Sequence, residues 1–290
     1  MTSRRWSGRW GRPTLPEAPL IDVLVPTVGR RAELAATLAG LAAQDDPPFR
    51  VMISDQSDDA VAENDPTVLA MLRVLEAQGR APFVSRHLPR RGLAEQRHYL
   101  LSLSSAPAVL FLDDDVWLEP GTLLRLHEAL ERLGCGFVGS AVQGLSYLED
   151  ERPHEQAAFQ PWDDGVQPER VRRGTPEFDR WPLHNAANLT HLAARLDVAE
   201  GDWRAYRVAW LGACVLYRRD ALVASGGFDF WEQLPPEHSG EDVAAQWRVM
   251  ERFGGAGLIP SGAVHLETPT TVTDRRVDAF DRLFAEEHTP

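Results

Sequence analysis

The chain after Leu20 alternates for about a hundred residues between apolar, strand-like runs and helix-like segments. The strand-like runs are LIDVLVPTVGR, FRVMISDQSDD, APFVSRHLP and APAVLFLDDD, and the segments between them carry apolar residues at helical spacing. Strands that alternate with helices in this way are typical of βαβ units and a parallel sheet. We therefore predict an α/β fold in which a mostly parallel sheet is flanked by helices.

Three of the four strand-like runs end in polar residues. Pro26 and Thr27 end the first run, Asp55-Gln56-Ser57 the second and Asp113-Asp114-Asp115 the fourth. The carboxyl ends of the strands of a parallel sheet meet at one edge, where ligands bind. The pattern therefore predicts a ligand site at this edge.

The stretch VLFLDDDVWLEP sets three carboxylates against an apolar strand, which is costly unless a positive charge lies among them. A turn that caps the next helix is a poor explanation, because Pro120 and Gly121 open that helix several residues later. A dehalogenase-type phosphatase motif, DxDx[TV], would place Trp117 at its Thr or Val position. A DxD site fits better, because a hard divalent cation binds carboxylates and leaves positions open for phosphate oxygens.

The composition excludes several classes of function. The 290 residues carry a net charge of −13, and their basic residues are all Arg, with no Lys. A Schiff-base lysine and a Walker-type phosphate loop are therefore excluded. The acidic balance argues against a nucleic-acid partner. Cys135 and Cys214 lie in apolar stretches typical of buried free thiols, which favours a reducing compartment.

We predict a cytoplasmic protein, because no apolar run approaches the ~18 residues of a membrane span and the N-terminus resembles no secretory signal. The N-terminal stretch mixes Arg and Trp with Gly and Pro, which favours disorder and leaves open a peripheral contact with the inner face of a membrane. The predicted divisions are a flexible tail at 1–19, one domain at 20–270 and a C-terminal helix or tail at 271–290. Within the domain we expect a nucleotide-binding half at 20–116 and an acceptor-binding half at 117–270, which contains an irregular segment at 149–207.

Several short motifs follow one another in a recognisable order: IDVLVPTVGR, VMISDQSDD, RGLAEQR, FLDDD, GACVLYRRDAL, GGFD, GED-xxxx-WR and a downstream His. In this order they resemble a family 2 glycosyltransferase with the GT-A fold, and the match covers roughly Leu20 to Glu267. The resemblance implies an inverting enzyme that uses Mn²⁺ or Mg²⁺ and a nucleotide-diphosphate sugar, with UDP as the favoured nucleotide. It implies a carbohydrate or lipid-linked acceptor, in polysaccharide, cell-surface glycan or glycolipid synthesis.

The resemblance also assigns roles to individual residues. The residues that match nucleotide-binding positions of the family are Pro26, Thr27, Asp55, Arg97, Asp113 and Asp114. Asp115 matches the metal ligand, and His265 matches a His that serves some members as a further ligand. His98 departs from the family pattern, which often has Asn after the basic residue. Gly212 and Ala213 match a small-residue stretch beside the donor sugar, although a Gly in a strand also marks a bulge or close packing.

Inverting transfer needs a base for the acceptor hydroxyl, and a carboxylate is the usual one. The stretch GEDVAAQWRV places Glu241 and Asp242 at a helix start, where acids are common because they favour the helix dipole. In the resemblance, Asp242 is the general base and Glu241 lies beside it in the acceptor site. Trp231, in an aromatic loop just before, is suited to stacking on a sugar and equally to the core.

Two other functions stay open at this point. A sugar nucleotidyltransferase would share the sheet and the acidic metal site, but it would show a Gly-rich basic loop after the first strand. VPTVGRRAEL is a poor version of that loop, although Arg30 and Arg31 keep the alternative open. A non-catalytic protein that binds nucleotide sugars is the other. The sequence names neither the sugar nor the acceptor, and it leaves the oligomeric state open.

Overall fold

The computed structural model describes residues 4–12, 17–142 and 144–284. An eight-stranded sheet forms its centre, in the order β3-β2-β1-β4-β8-β6-β9-β7, and a two-stranded sheet pairs β10 with β5. The strands are β1 (Ile21–Thr27), β2 (Phe49–Asp55), β3 (Phe83–Arg86), β4 (Ala108–Leu112), β5 (Val116–Leu118), β6 (Phe137–Gly139), β7 (Arg204–Tyr206), β8 (Cys214–Arg218), β9 (Gly255–Ile259) and β10 (Ala263–His265).

The helices are α1 (Arg31–Ala42), α2 (Val61–Asn64), α3 (Pro66–Ala77), α4 (Leu93–Leu103), α5 (Thr122–Leu133), α6 (Pro153–Gln156), α7 (Ala186–Leu196), α8 (Arg219–Ala224), α9 (Glu241–Phe253) and α10 (Ala279–Phe284). Local chemistry explains several of their ends. Asp65 caps α3 by accepting hydrogen bonds from the backbone N–H groups of Thr67 and Val68, and Pro66 takes the first helical position. Gly134 ends α5 with a positive φ of 62°.

The first four strands of the central sheet are parallel, as the sequence predicts. β1 pairs with β2 on one side and β4 on the other, and β2 pairs with β3. β8 then runs antiparallel between β4 and β6. The sheet is therefore mixed, and the predicted α/β architecture is confirmed.

Each face of the sheet carries its own apolar core. One core joins alternate strand residues such as Val23 and Leu110 to α1, α3 and α5. The other joins Leu24 and Phe111 to α4, α7, α8 and α9. Strands buried on both faces explain why the sequence shows continuous apolar runs rather than strict alternation. Cys135 and Cys214 are free and buried in these cores, as predicted.

The segment 149–207 has more regular structure than its sequence indicates. It contains α6, a 3-10 helix at Pro176–His184, α7 and β7. Asn185 caps α7 by accepting a hydrogen bond from the backbone of Ala187. The segment packs against the sheet through Leu183, Leu189 and Leu192, which belong to the second core.

Both terminal predictions fall partly outside the described residues. Within the N-terminal tail, a 3-10 turn occupies Ser7–Arg9, and Arg5 donates a hydrogen bond to Asp45 at 2.8 Å. The predicted C-terminal helix is present as Ala279–Phe284, and its predicted continuation lies beyond the described residues. None of the helices in the described ranges is both long and apolar enough to span a bilayer.

Candidate active site

A cavity of about 690 Å³ opens at the carboxyl edge of the sheet, where the sequence predicts it. Its walls come from the ends of β1 and β4, the first turn of α9 and the segment 268–278 that follows β10. The predicted site residues that line this cavity are Pro26, Thr27, Arg97, Asp113, Asp114, Asp115, Glu241, Asp242 and His265.

Two predicted residues lie elsewhere. Asp55 is buried beneath the loop after β2, where its carboxylate accepts hydrogen bonds from the backbone of Ser57 at 2.7 Å and Ala62 at 2.9 Å. Asp55 therefore stabilises the loop after β2, and it does not line the cavity. Trp231 lies in the 3-10 turn Asp229–Gln233 and packs against the second core.

The three aspartates after β4 point in different directions and have different partners. Asp113 accepts a hydrogen bond from Nη2 of Arg97 at 2.7 Å. Asp114 accepts one from the hydroxyl of Thr27 at 2.6 Å and another from Nη1 of Arg30 at 3.0 Å. The same Nη1 also contacts Oδ2 of Asp115. Three neighbouring carboxylates repel one another unless a positive charge lies among them, and Arg30 supplies part of that charge.

The surroundings separate the pKa values of two neighbouring carboxyls. Burial raises the pKa of Asp114 to about 7, even though the Thr27 hydrogen bond and the charge of Arg30 oppose that rise. Burial acts in the same direction on Asp115, but His265 and Arg30 outweigh it and lower the pKa of that carboxyl. Of Asp114 and Asp115, Asp115 is therefore the one that stays firmly ionised.

His265 is placed beside Asp115 because β10 pairs antiparallel with β5, opposite His265 to Val116. Its Nε2 lies 3.1 Å from Oδ2 of Asp115, and its Nδ1 accepts the backbone N–H of Glu267 at 2.8 Å. A ring nitrogen that accepts carries no proton, so in neutral His265 the proton is assigned to Nε2 and points at Asp115. His265 is a hydrogen-bond donor in this arrangement, and it would have to give up that proton to bind a metal.

The carboxylates at this edge offer ligands for a divalent cation only in part. No group of three or more His, Cys, Asp or Glu side chains is arranged to hold a metal ion within residues 4–12, 17–142 and 144–284. A cation of the Mg²⁺ type, however, needs only one or two protein carboxylates when substrate phosphates complete its coordination. Asp115, ionised and facing the cavity, fits that requirement once its contact with Arg30 is released.

Arg97 connects the two sides of the cavity. Its side chain is 3% exposed, and it pairs with Asp113 through Nη2 and with Glu241 through Nε at 3.1 Å. Burial alone would lower the pKa of Arg97, but the two carboxylates outweigh burial and raise it far above its usual value. Arg97 is thus permanently charged, and it fixes the first turn of α9 relative to the end of β4.

Asp242 differs from Glu241 beside it. One of its oxygens, Oδ1, accepts the backbone N–H of Val243 at 2.9 Å, and no described cation forms an ion pair with it. Burial, and then the negative charge of Glu241, raise the pKa of Asp242 to about 7. Oδ2 faces the side of the cavity where Gly212 lies. A carboxylate with a raised pKa and a free oxygen is suited to accept a proton.

Aromatic side chains form the wall next to Asp242. His184 stacks on Trp210 with ring centroids 4.5 Å apart, and the ring centroid of Trp181 lies 5.8 Å from that of His184. Trp181 is 45% exposed, although it lines the cavity. We call Trp181, His184 and Trp210 the aromatic wall. Exposed aromatic faces beside a cavity are suited to the apolar face of a sugar ring.

The amino-acid pattern of the chain matches a known family over residues 22–222, which is more than half of the 290 residues. The matching family is described as glycosyl transferase family 2. The chain belongs to this family. No curated protein sequence matches the chain.

Solved structures similar to this glycosyltransferase share its GT-A fold. One is the mannosyltransferase PcManGT from Pyrobaculum calidifontis in complex with GDP-Man and Mn²⁺, with a TM-score of 0.58, 16% identity and coverage of 92% of this chain and 64% of that one. Another is S. aureus TarS 1–349, with a TM-score of 0.53, 17% identity and coverage of 84% and 60%. A third is the same TarS fragment with UDP-GlcNAc, with a TM-score of 0.52, 15% identity and coverage of 87% and 60%. The glycosyltransferase thus spans less than two thirds of the length of these proteins.

Two residues that line the cavity, Arg30 and Trp210, are not predicted as site residues from the sequence. Arg30 lies three residues after Thr27, the polar end of β1, which is a signal, but the sequence supports it only as part of a poor phosphate loop. Trp210 precedes Gly212 by two residues and gives no such signal, because a Trp before a strand is as common in a core. Its position depends on how the loop before β8 folds over the cavity.

Proposed function

We propose that this glycosyltransferase moves a sugar from a nucleotide-diphosphate sugar to an acceptor hydroxyl with inversion, and that Asp242 is the general base. The observation that carries the proposal is that Asp242, whose pKa is raised and whose Oδ2 has no cationic partner among the described residues, faces the same cavity as Asp113 to Asp115. One base opposite one site for the departing diphosphate is what inverting transfer requires.

The donor side of the proposal rests on the end of β4. Asp115 would hold a divalent cation, Mn²⁺ or Mg²⁺, which neutralises the charge of the departing diphosphate when bound. Pro26 and Thr27 border the same cavity and would contact the nucleoside, with Asp113 held in place by Arg97. The complexes of PcManGT with GDP-Man and TarS with UDP-GlcNAc support a nucleotide-sugar donor, and we favour UDP.

The acceptor side rests on the aromatic wall and on Glu241. Arg97 fixes the Glu241 carboxylate, so that Asp242 next to it is the carboxyl free to take the proton from the acceptor. The acceptor that fits this surface is a carbohydrate, free or lipid-linked. We place the reaction in the synthesis of polysaccharide, cell-surface glycan or glycolipid, in the cytoplasm or at the inner face of a membrane.

Donor binding tests the proposed function directly. Thermal unfolding would be followed with UDP, GDP, ADP and their sugars, each with and without Mn²⁺. A ligand at 100 times its Kd stabilises the folded state by about 2.7 kcal/mol. We expect one nucleobase to stabilise the protein above the others, and only with the cation. Hydrolysis of the matching sugar nucleotide would then separate an enzyme from a protein that only binds. Release of pyrophosphate from a nucleoside triphosphate, in the presence of a sugar 1-phosphate, would indicate a nucleotidyltransferase instead.

The space in front of the base is kept open by Gly212. A methyl group at this position would lie 3.6 Å from Cζ3 of Trp210 and 3.8 Å from Oδ2 of Asp242, both ordinary van der Waals distances. Gly212→Ala should therefore fold with an unfolding free energy within about 0.5 kcal/mol of the wild type. Because the methyl fills the space beside Asp242, we expect kcat/KM for donor hydrolysis to fall by at least about tenfold.

The matched control for this substitution is Gly11→Ala. An added methyl at Gly11 meets no atom within 4 Å, and Gly11 does not line the cavity. This variant should keep both its stability and its activity. Unchanged kcat/KM in Gly212→Ala would show that no substrate passes between Trp210 and Asp242.

A further inference from the structure

Arg30 occupies an unusual position among the cavity residues. It precedes α1, its side chain is 12% exposed, and its guanidinium lies between Asp114 and Asp115. Nη2 donates to the backbone carbonyl of Pro269 at 2.9 Å, in the segment after β10 that borders the cavity. The guanidinium therefore joins two carboxylates from the end of β4 to a chain segment on the opposite rim.

The contact with Arg30 conflicts with the role proposed for Asp115. Oδ2 of Asp115 is approached by both Nη1 of Arg30 and Nε2 of His265. A divalent cation that binds this carboxylate would lie next to a guanidinium of the same charge, and like charges this close repel strongly. Arg30 and a cation therefore compete for Asp115.

The guanidinium that leaves Asp115 is suited to a second partner in the same cavity. Arg presents a planar fork of N–H groups that matches two phosphate oxygens. The chain has no Lys, so a permanently charged side chain that binds a phosphate must be an Arg. Arg97 is held on both sides by Asp113 and Glu241, whereas one of the two carboxylates that hold Arg30 is Asp115, the carboxylate that a cation would bind.

We propose that Arg30 is an exchangeable counter-ion of the donor site. Before the donor enters, Arg30 neutralises Asp114 and Asp115. When a divalent cation binds Asp115 together with the donor, the guanidinium turns to the donor's diphosphate. This proposal rests on the proposed function, because it assumes a diphosphate in this cavity. In this proposal Arg30 weakens the binding of the cation alone and strengthens the binding of the diphosphate.

The first test measures Mn²⁺ alone by electron paramagnetic resonance of the free ion, without nucleotide. Arg30→Gln removes the competing charge, so we expect its Mn²⁺ affinity to rise by about tenfold over the wild type. The matched control is Arg31→Gln, since Arg31 is the next residue, is 58% exposed and pairs with Asp59. This control should bind Mn²⁺ as the wild type does.

The second test measures nucleotides by calorimetry at saturating Mn²⁺. The probes are whichever of UDP and GDP binds the wild type more tightly, and the corresponding monophosphate. Loss of a charged, forked contact should weaken the diphosphate by about 10- to 100-fold in Arg30→Gln. The affinity for the monophosphate should change by less than about threefold, since it has no β-phosphate for the guanidinium to bind.

Several outcomes would overturn the proposal. One is an unchanged or weaker Mn²⁺ affinity in Arg30→Gln. Another is an equal loss of affinity for the diphosphate and the monophosphate, which would indicate that Arg30 has a purely structural role. If Arg30→Gln fails to fold, Arg30→Lys decides, because it keeps the charge and loses the fork. Full diphosphate affinity in Arg30→Lys would then reject the forked contact, and a selective loss would support it. If the wild type binds neither UDP nor GDP, the proposed function fails, while the Mn²⁺ measurement still judges the competition at Asp115.

Discussion

Asp242→Asn should lower kcat for donor hydrolysis, in which water replaces the acceptor, by a factor on the order of 10² to 10⁴. The amide is nearly the same size as the carboxylate and still accepts the hydrogen bond from Val243, so the fold and the cavity are kept. What the substitution removes is the only role that the geometry gives to Oδ2, which is to accept a proton. Nucleotide affinity, measured by calorimetry, should stay within about threefold of the wild type, because the residues proposed to contact the nucleotide, Pro26 and Thr27, belong to β1 and not to α9.

The matched control is Asp220→Asn. Asp220 lies in the first turn of α8, as Asp242 does in the first turn of α9, but it is exposed and does not line the cavity. The two substitutions therefore share their effect on a helix dipole, whereas only Asp242 is partly shielded from solvent and lines the cavity. Activity within tenfold of the wild type in Asp242→Asn would exclude this residue as the base, and an equal loss in Asp220→Asn would point to a general effect on helix starts.

The pH dependence of the wild type gives the same prediction a second readout. Burial raises the pKa of Asp242 to about 7, and only the ionised carboxylate can accept a proton. Activity should therefore be low at acidic pH, rise about tenfold per pH unit and level off above about pH 7. Because Glu241 and Asp242 influence one another, the midpoint of the rise belongs to the pair. The rise should disappear in Asp242→Asn, and it should remain in Asp220→Asn.

The sequence predicts the strands of the first half well, because local patterns determine them. Apolar runs such as VLVP and VLFL can be buried only between two layers of helix, and the helices between them show their own spacing. The position of the site follows from the same pattern, because parallel strands bring their carboxyl ends to one edge. This reasoning places Asp113 to Asp115 and Thr27 in one cavity before any distance is known.

The second half depends on contacts between residues far apart in the chain, and the sequence predicts it less well. β8 enters the sheet antiparallel between β4 and β6, a pairing that no local pattern specifies. The same limit applies to the aromatic residues. Trp231 and Trp210 lie in similar apolar and polar surroundings in the sequence, yet Trp210 lines the cavity and Trp231 packs on the core. The role of Arg30 is not predictable from local sequence, because it depends on carboxylates more than eighty residues away in the chain.

Arg97→Met should destabilise the protein more than any other single change at the site. Arg97 is buried between the partly exposed Asp113 and the buried Glu241, and removal of one partner from a buried ion pair costs about 3–5 kcal/mol, because the charge of Glu241 stays buried without compensation. The free energy of unfolding at pH 8, from urea titration, should fall by that amount. Arg195→Met is the matched control, because Arg195 and its partner Glu151 are 49% and 55% exposed, and exposed pairs contribute about 0–1 kcal/mol.

The loss of stability in Arg97→Met should depend on pH in a direction that the structure fixes. Burial already raises the pKa of Glu241, and Arg97 is the main group that opposes this rise. Without Arg97 the pKa of folded Glu241 moves further above its value in the unfolded chain, so that the folded state binds the extra proton. The deficit should therefore be largest above the folded pKa and shrink as the pH falls towards the unfolded value of about 4.3.

A second substitution separates this cause from a loss of packing. Arg97→Met with Glu241→Gln removes the charge that Arg97 compensates and keeps nearly the same volume, so the double variant should regain a large part of the lost stability at pH 8. Loss of packing around Arg97, in contrast, would persist in the double variant and would show no dependence on pH. If the double variant is no more stable than Arg97→Met, the connection between the donor and acceptor walls does not depend on the Arg97–Glu241 pair.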